Sequence, residues 1–150
     1  MSNVRWTNKW RRFIQLDGAD KWLLLRATVW LAIARIMLVA MSFERLSARL
    51  SATGNSAQAE PDQDLLERIG FAVSAAANNV PWRSDCFPQT IAARMLLKRF
   101  GYASTIHIGV ERAGEDVLNG HAWLTCGETV VTGGAELDRY AEIHRWPRPP

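Results

Sequence analysis

Residues 82–102 read W-R-S-D-C-F-P-Q-T-I-A-A-R-M-L-L-K-R-F-G-Y, a stretch that combines the signals of two helix ends with a cysteine. It predicts a helix with Cys86 at its amino end, because Pro88 is tolerated only in a first turn and Gly101 stands where the helix would stop. Two strands are predicted to follow, and the second carries His121. A thiol at a helix start and an imidazole on a neighbouring strand are the two groups that a cysteine nucleophile needs.

Short β-patterns separated by turn residues follow this helix and predict three strands: Thr105–Val110, His121–Cys126 and Thr129–Thr132. Side chains alternate along a strand, so Cys126 shares a face with Ala122 and Leu124. If that face meets the core, Cys126 is structural. His121 shares the other face with Trp123 and can project over a cleft. His107 is predicted on the polar face of the first strand. The tail from residue 133 is predicted to be irregular.

Cys86 and His121 each have two interpretations on position alone. The unpaired N–H groups and the dipole of a helix start favour a thiolate, which would make Cys86 reactive. Most free cysteines, however, are small buried hydrophobes. A lone histidine is likewise more often a surface residue than a catalyst. The helix-then-sheet order between the two residues favours the catalytic interpretation.

Composition indicates a folded globular chain without a metal site or cofactor. The 150 residues are 48% apolar and 22% charged, a balance typical of one globular domain. The two cysteines lie 40 positions apart (126 − 86), there is no C-x-x-C pair, and the three histidines are scattered. This spacing does not resemble a zinc site, and the cysteine usage suits a reducing cytoplasm. We therefore expect a cytoplasmic protein.

The chain divides at a polar, small-residue stretch over residues 51–64, which we interpret as a linker. Residues 1–50 are predicted to form a basic and apolar helical region, and residues 65–150 the core. Pro61 and the acids around it predict a helix start after the linker. A buried face at helical spacing follows: Leu65, Ile69, Ala72, Val73 and Ala76.

The amino-terminal region carries an uneven charge. Residues 1–50 hold nine Lys/Arg and three Asp/Glu (9 − 3 = +6), whereas residues 51–150 hold nine and twelve (9 − 12 = −3). A basic region of this kind suits nucleic acid, anionic lipid or an acidic partner, but we favour the simpler interpretation, a basic outer face of ordinary helices. No nucleic-acid-binding signature accompanies the charge, so we expect no nucleic-acid partner. Aromatic and basic residues over residues 3–16 predict a short amphipathic helix.

Residues 22–41 form a second, mostly apolar predicted helix with the length of a membrane span. Arg26 and Arg35 interrupt it nine residues apart, about 180° around the helix, so both faces carry a charge. Each arginine costs about 2.5 to 3.5 kcal/mol near a bilayer centre. We therefore favour a helix packed in the protein or against a partner. Attachment to a membrane surface comes next, and a true span last.

Four segments resemble the transglutaminase-like cysteine peptidases that mature lasso peptides. They are the run from Cys86 to Tyr102, then I-H-I-G-V at 106–110, G-H-A-W-L at 120–124 and V-V-T-G-G at 130–134. The basic and apolar amino-terminal region is similar to the stand-alone peptidase of the split type. The resemblance implies an α+β fold: a transglutaminase-like (papain-like) core with the nucleophile helix packed on a small antiparallel sheet, preceded by an amino-terminal helical region.

The resemblance also implies a function and partners. The chain would be a cytoplasmic cysteine peptidase that removes the leader from a ribosomally made precursor peptide. A separate leader-binding protein would present the precursor, and an ATP-dependent lasso cyclase would close the macrolactam. Cys86 would be the nucleophile and His121 the general base, and backbone N–H groups at the helix start would meet the oxyanion.

The third catalytic member departs from the family pattern. That pattern often places an aspartate about twelve residues after the histidine, where this chain has Gly133. A nearby acid could substitute, a backbone or polar group could orient the imidazole, or the pair could work alone. Among the acids we name Glu128, although the turn that bears it could fold either way.

Two alternative functions remain open from the sequence. The same thioester intermediate would serve acyl transfer onto an amine, as transglutaminases perform. The missing aspartate would instead suit a non-catalytic docking subunit of the maturation complex. The products of the reaction distinguish the first alternative, and the reactivity of Cys86 distinguishes the second.

Overall fold

The computed structural model describes residues 17–52, 60–112 and 117–147. The helix predicted over residues 3–16 lies outside the described residues, as do seven positions of the linker, 53–59.

The described chain has four helices followed by four strands. The helices are α1 (Gly18–Ala40), α2 (Phe43–Ser51), α3 (Gln63–Ala77) and α4 (Cys86–Arg99). The strands are β1 (Thr105–Arg112), β2 (Leu118–Cys126), β3 (Thr129–Thr132) and β4 (Ala141–Trp146), with a short 3₁₀ helix at Leu137–Arg139. The predicted α+β class is confirmed, and so are the helix that begins at Cys86 and the three predicted strands.

The strands form one antiparallel sheet in the order β3-β2-β1-β4. On β2, Ala122, Leu124 and Cys126 are buried on the face that meets the helices. This confirms the predicted structural position of Cys126, whose side chain is 2% exposed. Burial raises the pKa of its thiol, which donates a hydrogen bond to the Ala103 carbonyl at 3.2 Å.

The prediction of an irregular tail was wrong, because β4 pairs with the free edge of β1. Few apolar residues mark this strand in the sequence, and one of them, Ile143, is exposed. Trp146 anchors the strand instead. Its ring stacks on Phe87 of α4, with ring centroids 6.1 Å apart, and its Nε1 donates to Ser47 Oγ at 2.9 Å. Only the folded chain brings these partners together, so local pattern does not predict the strand.

One hydrophobic core joins α1 to the helices and strands that follow residue 60. The inward side of α1 contributes Leu23, Ala27, Leu31, Ala34 and Met37, which are all buried. This confirms the prediction that the helix packs in the protein. By length and composition α1 is also apolar enough to cross a membrane. Crossing a bilayer would withdraw its five buried side chains from the core.

The buried faces of α3 and α4 differ from the predicted stripes in two places. Leu66 is fully buried in α3, whereas the predicted Leu65 only borders the core. On α4, helical spacing predicts an apolar face of Ile91, Met95, Leu96 and Phe100. Ile91 and Leu96 are buried, but Phe100 is 40% exposed. Phe100 lies just past the last helical turn, so the helix no longer directs it inward.

Gly70 allows α3 to pack closely on β3. A Cβ at this position would lie 2.3 Å from the backbone carbonyl oxygen of Val131, too close for any real contact. We therefore expect Gly70→Ala to destabilise the fold by about 1–3 kcal/mol, although alanine favours a helix. Urea denaturation measures the change. Gly18→Ala is the matched control, because a Cβ there meets nothing within 4 Å. Equal stability of the two variants would contradict this packing.

Candidate active site

Cys86 is the first residue of α4, and its side chain is only partly buried. Asp85 occupies the capping position, but its carboxylate accepts no N–H group from the helix and pairs with Arg83 at 3.0 Å. Among the described residues, nothing accepts a hydrogen bond from the backbone N–H groups of Cys86 and Phe87. Two donors at a helix start therefore lie beside the thiol and can meet a developing oxyanion.

His121 is held by a backbone carbonyl. Its Nε2 lies 2.8 Å from the carbonyl oxygen of Gly133. A carbonyl oxygen can only accept, so Nε2 carries the hydrogen and donates it. In the neutral ring Nδ1 then has a free lone pair, and no described residue hydrogen-bonds to it. The hydrogen bond to Gly133 thus selects the tautomer in which Nδ1 can act as a base.

Stacked rings limit the movement of the His121 imidazole. Tyr140 lies on it at a centroid distance of 4.7 Å, and Trp123 lies alongside at 6.2 Å. Gly109, which pairs with His121 across the sheet, leaves room for this stack: a Cβ there would lie 2.9 Å from the Trp123 ring and 3.0 Å from Tyr140 Cβ. The ring is therefore oriented by stacking as well as by the hydrogen bond.

Gly133 occupies the position where the family pattern often has an aspartate. Its φ is +75°, a left-handed conformation that side chains rarely adopt, and a Cβ would lie 2.5 Å from the Ala122 carbonyl oxygen. No acidic side chain fits here without moving the backbone. Of the three possibilities left open by the sequence, the structure has the one in which a backbone group orients the imidazole.

An aspartate at position 133, as in the family pattern, is expected to lower the activity of the site. Gly133→Asp would displace the strand that positions the carbonyl, and we expect the activity of the site to fall by about 10- to 100-fold. Gly120→Ala is the matched control, because Gly120 also neighbours His121 and a Cβ there meets nothing within 4 Å. Steady-state rates of the two variants measure the difference in activity. Undiminished activity of Gly133→Asp would show that the carbonyl is dispensable.

Glu128 is not brought to His121. It is exposed in the turn between β2 and β3, beyond Cys126. His121 lies five residues before Cys126, about 16 Å along an extended strand. Glu128 as the third member therefore stays a prediction that this geometry does not support. The turn folds back at the far end of β2, and the imidazole meets Gly133 instead.

Cys86 and His121 lie on neighbouring elements, since α4 packs on β2. They are not hydrogen-bonded to each other in this structure. His121 alternates with Ala122 and Leu124, whose side chains face the helices, and it lies with Trp123 on the other side of the strand. Catalytic hydrogen bonds are often long or poorly aligned without substrate, so the pairing of the two groups belongs to the proposed function and not to the observed geometry.

The sequence did not predict the burial of His107. Instead of facing solvent, its ring is buried between Glu142 of β4, at 2.9 Å, and Thr125, at 3.0 Å. Burial alone would raise the pKa of Glu142, but hydrogen bonds from His107 and Arg145 outweigh it and lower that pKa. The ring of His107 stacks on Trp123 at 5.2 Å. His107 therefore supports the sheet face that carries His121.

The sequence does not predict two further buried polar groups close to Cys86 along the chain. Trp82 Nε1 and Ser84 Oγ are buried in the loop before α4, and neither has a hydrogen-bond partner among the described residues. Buried donors are nearly always paired, so unpaired ones close to a reactive group are available to a ligand. No group of three or more metal-ligating side chains occurs within the described ranges.

A helix that begins with a cysteine and packs on an antiparallel sheet bearing a histidine defines a papain-like α+β protein. Comparison with known families agrees: the model of the transglutaminase-like superfamily matches residues 29–145. The chain belongs to this superfamily, which includes cysteine peptidases and acyltransferases and is typically catalytic. None of the curated proteins or solved structures matches the chain.

Proposed function

We propose that this chain is a cysteine peptidase that removes the leader from a ribosomally made lasso-peptide precursor before the macrolactam is closed. The observation that carries the proposal is the placement of Cys86 as the first residue of α4, beside two N–H groups that have no acceptor among the described residues. His121, fixed in one tautomer by Gly133, supplies the base. The motifs that resemble lasso leader peptidases supply the substrate class.

The reaction follows from these groups. His121 Nδ1 takes the thiol proton, and Cys86 Sγ attacks the carbonyl carbon of the scissile amide. The N–H groups of Cys86 and Phe87 would stabilise the oxyanion. The C–N bond then breaks, the imidazolium protonates the departing amine of the core peptide, and the leader remains as a thioester. A water molecule, deprotonated by His121, hydrolyses the thioester and releases the leader carboxylate.

The proposed function implies two partner proteins, one that binds the leader and one that closes the macrolactam. A separate leader-binding protein would present the precursor, as expected for the split-type peptidases that the sequence motifs resemble. An ATP-dependent cyclase would use the amine that the cleavage frees. A cytoplasmic location would bring all three proteins to the newly made precursor. The chemistry itself requires neither a metal nor a cofactor.

Mass spectrometry of the products tests the proposal. The full chain is incubated with the cognate precursor and leader-binding protein, with and without an added primary amine. We expect two peptides whose masses sum to that of the precursor plus one water. A leader product that gains the mass of the amine, in place of the free acid, would assign the chain to acyl transfer. An intact precursor under conditions where the partner proteins are active would contradict both reactions.

A further inference from the structure

The outward side of α1 carries an exposed apolar stripe. Five of its residues are at least half exposed: Trp22, Leu25, Val29, Ile36 and Val39. At about 100° per residue they fall within an arc of about 100°, directly opposite the side of α1 that is buried in the core. The stripe is about 25 Å long. An apolar surface of this size on a folded protein marks a site of interaction.

The charged residues between positions 22 and 39, along the stripe, are both arginines. Arg26 and Arg35 lie about 90° to either side of its centre, so they border it on both flanks. Arg26 also covers the ring of Trp22, with its guanidinium carbon 4.9 Å from the ring centroid. Between residues 21 and 43 the sequence contains no acidic residue. Two acids precede the stripe on the described part of the chain: Asp17, whose carboxylate accepts a hydrogen bond from the N–H of Gly18, and Asp20, which pairs with Arg68 at 2.7 Å.

We propose that this stripe binds the surface of an anionic lipid membrane, with α1 lying flat in the interface. A helix with aromatic and aliphatic residues on one side and arginines along its flanks suits the boundary between headgroups and acyl chains. The arginine stems can follow the apolar surface while the guanidinium groups reach lipid phosphates. The net charge of +6 over residues 1–50 adds attraction to an anionic leaflet.

The opposite side of α1 distinguishes this arrangement from a membrane span. Leu23, Leu31 and Met37 are buried against the rest of the protein, where α1 packs on α3 and α4. The helix therefore remains in the fold while its outward side enters the lipid. The active-site groups lie on α4 and β2, outside the stripe, so lipid binding and catalysis involve separate residues.

Flotation with lipid vesicles tests the proposal. The full chain is mixed with vesicles of phosphatidylcholine alone or with 30% phosphatidylglycerol, at about 0.1 M salt. We expect binding to the anionic vesicles that weakens in high salt. Val29→Gln/Ile36→Gln removes two exposed apolar side chains without changing charge, and should lower the partition coefficient at least about tenfold.

The control is a double variant on the sheet. Leu118→Gln/Ile143→Gln makes the same chemical change at side chains that are 66% and 61% exposed, against 64% for Ile36 and 50% for Val29. It should bind as the unchanged chain does. Circular dichroism of both variants checks the fold, which should not change, because none of the four side chains belongs to the core.

Three results would overturn the proposal. The unchanged chain could fail to float with anionic vesicles, or the stripe variant could float as well as the control. Size-exclusion chromatography without lipid could also show a dimer that Val29→Gln/Ile36→Gln dissociates, which would assign the stripe to a second copy of the chain.

Discussion

Cys86→Ala is expected to lower the turnover of the cognate precursor by at least about 10⁴-fold, because no other group can form the thioester. The side chain is partly exposed at the start of α4 and forms no hydrogen bond with the described residues. Its loss should therefore leave the free energy of unfolding nearly unchanged. Rates from single-turnover mass spectrometry, together with urea denaturation, measure the two effects separately.

Cys126→Ala is the control for this prediction. Cys126 is buried on β2 and its thiol is kept protonated by a raised pKa. Its removal should cost about 1 kcal/mol of stability through lost packing but leave the rate within a few-fold of the unchanged chain. Cleavage that survives in Cys86→Ala, or that is lost only in Cys126→Ala, would show that Cys86 is not the nucleophile.

His121→Ala is expected to lower turnover by about 10³- to 10⁵-fold. The variant loses both the base at Nδ1 and the hydrogen bond from Nε2 to the Gly133 carbonyl. The rate of Cys86 alkylation by iodoacetamide near neutral pH should fall in parallel, because the thiol loses the group that accepts its proton.

His144→Gln tests whether a histidine of β4, and not His121, is the general base. His144 lies on β4 beside Trp146, and its buried Nε2 has no partner among the described residues. Turnover of this variant should stay within a few-fold of the unchanged chain. A loss in His144→Gln as large as in His121→Ala, with both proteins folded, would transfer the role of base to β4.

The helix at Cys86 and the first three strands could be predicted because their signals are local. Pro88 and Gly101 mark the two ends of α4, and alternation along β2 places Cys126 inside and His121 with Trp123. The α+β class follows from this order of elements. These features depend on residues that are close to one another in the sequence.

The remaining features depend on contacts between distant residues. β4 exists because it finds the free edge of β1 and because Trp146 reaches Ser47 and Phe87. His107 is buried by Glu142, which lies 35 residues later. The orienting group of His121 is a backbone carbonyl, and a search of the sequence for acidic side chains cannot find it. The sequence does indicate position 133, because Gly133 stands where the family pattern often has an aspartate.

In the proposed reaction, Cys86 attacks the carbonyl at the end of the leader. The most direct test uses a peptide with the leader sequence of the cognate precursor and a chloromethyl ketone in place of the scissile amide. Displacement of chloride by the Cys86 thiolate would leave a thioether that peptide mapping locates. We predict one adduct, on Cys86, formed faster than with a scrambled leader and slowed in His121→Ala. An adduct on Cys126 would show that Cys86 is not the nucleophile, and equal rates with the leader and scrambled sequences would show that the site does not recognise the leader.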